Sequence, residues 1–84
     1  MELTFYSDPA HGWLEVPISL IDDLGIGGNI SQYSYIKGDR AYLEEDCDLS
    51  LFMTAYQAKG GQVKFNEVYT NHDSWIRNLK RWSK

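Results

Sequence analysis

A Gly-Asp pair at positions 38 and 39 constrains the fold most, because apolar and polar residues alternate on both sides of it. Glycine followed by aspartate suits a two-residue type II′ turn between antiparallel strands. We therefore predict a hairpin with Tyr35 opposite Tyr42. Since side chains alternate between the faces of a strand, the two faces differ. The apolar face carries Ser34, Ile36, Ala41 and Leu43, and the other carries Tyr33, Tyr35, Lys37, Arg40, Tyr42 and Glu44.

The remaining segments predict a first hairpin over 3–16, a short helix from Pro17 that ends at Gly25, and a further strand over 62–69. A second helix carries apolar residues at helical spacing. These are Leu49, Phe52, Met53 and Tyr56. Residues 74–82 predict a terminal helix. The order ββα–ββα–β indicates an α+β fold with a mainly antiparallel sheet of about five short strands, helices on one face, and a single small globular domain over 1–84.

Metal and cofactor sites are not expected from residue spacing. His11, His72 and Cys47 show no zinc-ligand spacing, and a calcium loop starting at Asp46 would have Leu51 where glycine is required. A single cysteine excludes an internal disulfide, and no apolar run reaches the ~20 residues of a membrane span. We expect a protein of a reducing compartment, most simply a cytoplasm, that carries no cofactor.

Catalytic chemistry is also not expected. Acidic neighbours raise the pKa of the Cys47 thiol, and the Ser7, Asp8 and His11 set lacks a nucleophile elbow. Paired carboxylates would need a deep cleft, which 84 residues rarely build. We predict a protein that is not an enzyme, with a dyad of Cys47 and a histidine as the alternative.

Charge is distributed unevenly along the chain. Residues 1–73 carry twelve acidic and four basic residues, whereas residues 74–84 carry four basic residues and no acidic one. An acidic body repels phosphate backbones and is attracted to basic protein surfaces. The basic tail could bind nucleic acid weakly or dock on the acidic body of the same chain.

Two surfaces are therefore candidates for binding a protein partner. The acidic one comprises Asp22, Asp23, Glu44, Glu45, Asp46 and Asp48, and the aromatic one comprises Tyr33, Tyr35, Tyr42, His11 and Trp13. Aromatic residues are typical interface anchors. Two simpler interpretations remain open: the acids keep the protein in solution, and the terminal segment covers the tyrosines. The alternative site, for nucleic acid, comprises Arg77, Lys80 and Arg81.

Three segments carry a resemblance: FYSDPAHGWLEVP over 5–17, SY at 34–35 before GD at 38–39, and YLEEDCD over 42–48. Over residues 3–60 the chain resembles a group of small proteins from phages, plasmids and bacterial mobile elements. Small acidic proteins from such elements often block host defences, anti-CRISPR proteins among them, by occupying a nucleic-acid-binding surface. The resemblance implies an inhibitor of a bacterial defence complex, and it implies no catalytic residues.

Overall fold

The computed structural model describes residues 1–83 and contains six strands, two α-helices and two 3-10 turns. The strands are β1 (Glu2–Ser7), β2 (Gly12–Pro17), β3 (Tyr35–Lys37), β4 (Arg40–Glu44), β5 (Lys64–Tyr69) and β6 (Lys80–Arg81). The helices are α1 (Ile18–Leu24) and α2 (Leu49–Ala58), and the 3-10 turns are Gly27–Asn29 and Trp75–Asn78. None of the helices within residues 1–83 has the length and apolar character needed to cross a membrane.

All six strands form one mixed sheet in the order β5-β1-β2-β4-β3-β6. Four neighbouring pairs are antiparallel, and β1 with β5 is parallel. The α+β class is confirmed. The sheet differs from the expectation in its sixth strand and in its parallel pair. A parallel pair requires a crossover connection, and the chain from β4 through α2 to β5 supplies it.

The hairpin around residues 38–39 has the predicted register. Ile36 lies opposite Ala41 and Tyr35 opposite Tyr42. Gly38 has a φ of 59°, and no non-glycine residue among residues 1–83 has a positive φ. A positive φ at the first central position alone is the signature of a type II′ turn. The same turn also contacts the start of α1. The Asp39 carbonyl accepts a hydrogen bond from the amide of Ile18, the first residue of that helix, at 2.9 Å.

The main core lies between the helices and one face of the sheet. It includes the predicted apolar residues of the hairpins and of both helices. Its buried members are Leu3, Leu14, Val16, Ile21, Ile26, Ile30, Ala41, Leu43, Phe52 and Trp82. Gly25, with a φ of 69°, ends α1 in the left-handed conformation that glycine adopts at helix C-termini.

The predicted helix over 74–82 is wrong. Residues 75–78 form a 3-10 turn, in which the Ser74 hydroxyl accepts the amide of Ile76, and the chain then extends as β6 beside β3. The reason is that Ile76 and Trp82 are buried in two different cores on opposite faces of the sheet. One short helix packed on a single face could not place both residues in these cores, whereas an extended segment at the sheet edge can.

Candidate binding site

The second face of the sheet carries a smaller aromatic core under the 3-10 turn at 75–78. Ile76 packs there with Trp13 and Tyr42. The ring of Trp75 meets that of Tyr42 edge-on, with 5.3 Å between centroids. Tyr42 is only 3% exposed, and its hydroxyl donates to Glu15 at 2.8 Å. Burial raises the pKa of Tyr42 well above its usual value. The terminal segment therefore covers Tyr42, so this tyrosine is a packing residue.

A partly buried ion pair fixes the terminal segment against the first hairpin. The Asp8 carboxylate, whose side chain has 0% exposure, accepts hydrogen bonds from Arg77 Nε at 2.7 Å and Nη2 at 3.0 Å. It also accepts the backbone amides of Ala10, His11 and Ser74. The Arg77 guanidinium, helped by these amides, holds the pKa of Asp8 far below its usual range. The expectation that the basic tail can dock on the acidic body is met at this pair.

An open cleft of about 340 Å³ lies beside this ion pair. It is lined by His11, Trp13, Tyr33, Tyr35, Glu44, Asp46, Cys47, Arg77 and Arg81. Six of the eleven residues predicted to bind a protein partner line it, and so do two of the three predicted to bind nucleic acid. The structure thus brings the two competing candidate sites into one cleft.

One wall of the cleft is acidic. The Glu44 carboxylate accepts the amide of Asp46 at 3.1 Å and lies 4.0 Å from His11 Nδ1. A hydrogen bond between Glu44 and the Cys47 thiol, with burial and nearby acids adding to it, raises the thiol pKa. Cys47 is therefore held in its protonated form, which is a poor nucleophile.

The rest of the lining is aromatic and basic. The Arg77 guanidinium lies 5.3 Å from the Trp13 ring, and that of Arg81 lies 5.5 Å from the Tyr35 ring. The rings of Trp13 and Tyr35 meet edge-on at 6.2 Å. Such stacks hold flat charged groups against apolar surface, as in protein interfaces. Tyr33, which is exposed, forms the rim.

The other predicted residues lie elsewhere. Asp48 is 2% exposed, and its carboxylate accepts the Ser31 amide and the hydroxyls of Ser31 and Ser34. It therefore joins the loop before β3 to the start of α2 and is a structural residue. Asp22 and Asp23 are exposed on α1, on the helix-bearing face of the sheet, and do not line the cleft. Glu45 is exposed beside the cleft.

The basic residues of the alternative site also separate. Arg81 lies opposite Tyr35 in the β3–β6 ladder, and Lys80 lies opposite Ile36. Because neighbours in a strand point to opposite faces, Lys80 is directed away from the cleft. Lys84, the last basic residue of the tail, lies outside the described residues.

Sequence reasoning missed the positions of Arg77 and Arg81 beside the residues of the acidic and aromatic sets. The sequence indicated a contact only through the opposite net charges of residues 1–73 and 74–84, and such charges do not identify pairs of residues. Comparisons with known proteins add no further constraint: no family model, curated protein or solved structure matches the chain. The geometry of the cleft is therefore the basis for assigning a function.

Proposed function

We propose that the protein is a non-enzymatic binding protein whose cleft receives a basic segment of a partner protein. The observation that carries the proposal is the convergence of exposed Asp46, the Glu44 carboxylate and two tyrosines around one opening. Following the resemblance, we propose that the partner is a bacterial defence complex in the host cytoplasm. The protein would inhibit it, as anti-CRISPR proteins do, by covering a basic groove.

The chemistry of the walls supports a lysine or arginine as the inserted group. Carboxylates at Glu44 and Asp46 would make charge-assisted hydrogen bonds with its head. The rings of Tyr33 and Tyr35 would contact its aliphatic stem or its charge. A volume of about 340 Å³ admits one or two side chains, which fits an anchor within a wider contact.

An enzymatic role is less well supported. The raised pKa of the Cys47 thiol reduces the fraction of thiolate at neutral pH. His11 lies beside the Glu44 carboxylate, and its ring contacts that of Trp13 at a tilt, so both neighbours hold the imidazole in position. These contacts favour binding over covalent chemistry.

Nucleic-acid binding through the tail is also less well supported. The charge of Arg77 is already compensated by Asp8, and Lys80 and Arg81 are directed to different faces of the sheet. Phosphate binding needs several cations on one surface. A gel-shift assay at low salt is expected to show no complex with single- or double-stranded DNA or RNA.

Paired variants test the proposed surface. The tagged protein is used to capture partners from a bacterial host lysate, with quantitative mass spectrometry. We expect Asp46→Lys and Tyr33→Ala to lower recovery of the partner at least ~10-fold, because each removes part of a central anchor. The matched controls are Glu67→Lys and Tyr69→Ala on β5, which are exposed at the opposite edge of the sheet.

Salt provides a second readout of the same contact. Recovery of the partner is expected to fall as salt is raised, because exposed ion pairs are screened. Equal recovery with the Asp46 and Glu67 variants would reject the cleft as the contact surface. Recovery of the partner by Asp23→Lys, measured in parallel, shows whether α1 belongs to the contact.

A further inference from the structure

We propose that His11, Glu44 and Asp46 form a binding site for a divalent transition-metal ion, with Zn²⁺ as the best-fitting ion. Each residue offers one ligand atom, and the three atoms lie within 4.8 Å of one another. They come from two segments that are distant in sequence, the turn before β2 and the end of β4. This separation explains why residue spacing did not predict the site.

The distances suit a site that closes around an ion. Zn²⁺ binds nitrogen and oxygen donors at about 2.0–2.2 Å, which places tetrahedral donors about 3.4 Å apart. His11 Nδ1 and Glu44 Oε2 are 4.0 Å apart and no two ligand atoms are more than 4.8 Å apart, so closure requires movements of about 1.5 Å or less. The His11 side chain is 45% exposed and Asp46 is exposed, so both can rotate.

The backbone already fixes the two segments relative to each other. Trp13 lies opposite Glu44 in the β2–β4 ladder, and the Glu45 amide donates to the Gly12 carbonyl at 3.0 Å. The buried Asp8 carboxylate binds the His11 amide at 2.9 Å. Because the backbone of both segments is already fixed, only side chains have to be ordered when an ion binds.

Electrostatics also favour a cation at this point. The carboxylates of Glu44, which is buried, and Asp46 lie close together and repel each other. A divalent ion offsets this repulsion. The imidazole of His11 selects against Mg²⁺ and Ca²⁺, which prefer oxygen ligands, and favours transition metals.

A residue that lines the same cleft has an unpaired buried donor. Trp13 lines the cleft, is 2% exposed, and its indole Nε1 has no hydrogen-bond partner among residues 1–83. Buried indole donors are normally paired. A metal held by three protein ligands carries a further oxygen ligand, which brings a hydrogen-bond acceptor into the cleft.

The test is titration of the tag-free chain with ZnCl₂ by isothermal titration calorimetry. We expect one ion per chain, and an affinity at least ~10-fold lower in His11→Ala and in Asp46→Asn. The matched controls are His72→Ala and Glu45→Gln, which remove the same chemical groups at exposed positions outside the set. Both controls are expected to stay within about threefold of the parent, since neither supplies a ligand.

An NMR measurement tests whether the ion binds at His11. Zn²⁺ is expected to shift the NMR ring signals of His11 and to leave those of His72 unchanged. The proposal is overturned if no stoichiometric binding occurs, or if the His72 variant loses as much affinity as the His11 variant. Because a bound ion would compete with a partner's lysine for Asp46, the titration uses the chain alone. Its outcome is thus independent of the proposed partner.

Discussion

Asp8 shows how much one side chain can determine in a small protein. Its carboxylate is fully buried and joins the turn after β1 to the segment at 74–77 through Arg77 and three backbone amides. The Arg77 side chain is 30% exposed, so water partly compensates the charge that is left when the pair is broken, and the cost is about 3 kcal/mol, at the lower end of the range for fully buried pairs. Removal of Asp8 therefore acts on the turn, the aromatic core and the cleft together.

This ion pair makes the free energy of unfolding depend on pH. Because the native pKa of Asp8 is lowered, its stabilisation is complete above the unfolded value of about 3.9 and is lost as pH falls through the native pKa. We expect Asp8→Asn to lower the free energy of unfolding by about 3 kcal/mol at pH 7, with a gap to the parent that narrows below pH 4. Urea unfolding across pH measures it. The exposed Asp39→Asn is the control, and a gap that stays constant down to pH 2 would contradict the mechanism.

At the scale of elements, the β3–β4 hairpin depends on its turn. Gly38 has a φ of 59°, and Gly28, in the 3-10 turn at 27–29, has no such angle. A Cβ placed at either glycine would meet no atom within 4 Å. The two positions therefore differ in backbone conformation and not in the room available for a side chain.

Alanine at these two glycines separates the effects. We expect Gly38→Ala to lower the free energy of unfolding by about 1–2 kcal/mol, because a side chain disfavours positive φ. Gly28→Ala is expected to change it by less than about 0.5 kcal/mol. Thermal unfolding followed by circular dichroism measures both. Equal losses in the two variants would show that the positive φ of Gly38 is not responsible.

Local patterns predicted the elements that are stabilised locally. The Gly38 turn, the ending of α1 at Gly25 and the apolar stripe of α2 are all confirmed. The terminal segment was predicted wrongly because its apolar spacing fits a helix as well as a strand. Its conformation is decided by contacts with β3 and with Asp8, which lie far away in sequence.

The candidate site was predictable in residue types but not in arrangement. His11, Tyr33 and Glu44 were selected from the sequence and do line one cleft. Asp48 and Tyr42 are an acid and a tyrosine of the same predicted sets, yet both are buried. Ser31 bonds to Asp48, and the ring of Trp75 packs on that of Tyr42. Exposure depends on which segments pack together, and alternation along a strand does not contain that information.

At the scale of the whole molecule, residues 74–82 act as a clasp around the edge of the sheet. Ile76 is buried on the aromatic face, and Trp82 is buried in the helix-side core, where its Nε1 donates to the Gly27 carbonyl at 3.2 Å. Both cores are therefore incomplete without this segment. Large buried side chains contribute about 3–5 kcal/mol each, comparable to the total stability of a small domain.

A chain ending at residue 73 is therefore expected to lose cooperative folding. It lacks Ile76, Trp82 and two partners of Asp8, Ser74 and Arg77, so Trp13 and Tyr42 would be exposed to water. Near-ultraviolet circular dichroism would show loss of fixed aromatic packing, and the thermal transition would broaden. A chain ending at residue 82 is the control and should unfold as the parent does. A sharp transition in the shorter chain would show that the clasp is dispensable.

The parallel pairing of β1 with β5 has a consequence for synthesis on the ribosome. β1 is made first, but one of its hydrogen-bonding edges pairs only with residues 64–69. Until those residues emerge, the nascent chain presents an open strand edge, and such edges pair with other chains and aggregate. Interrupted translation products of this protein should accordingly be a greater solubility hazard than the finished molecule.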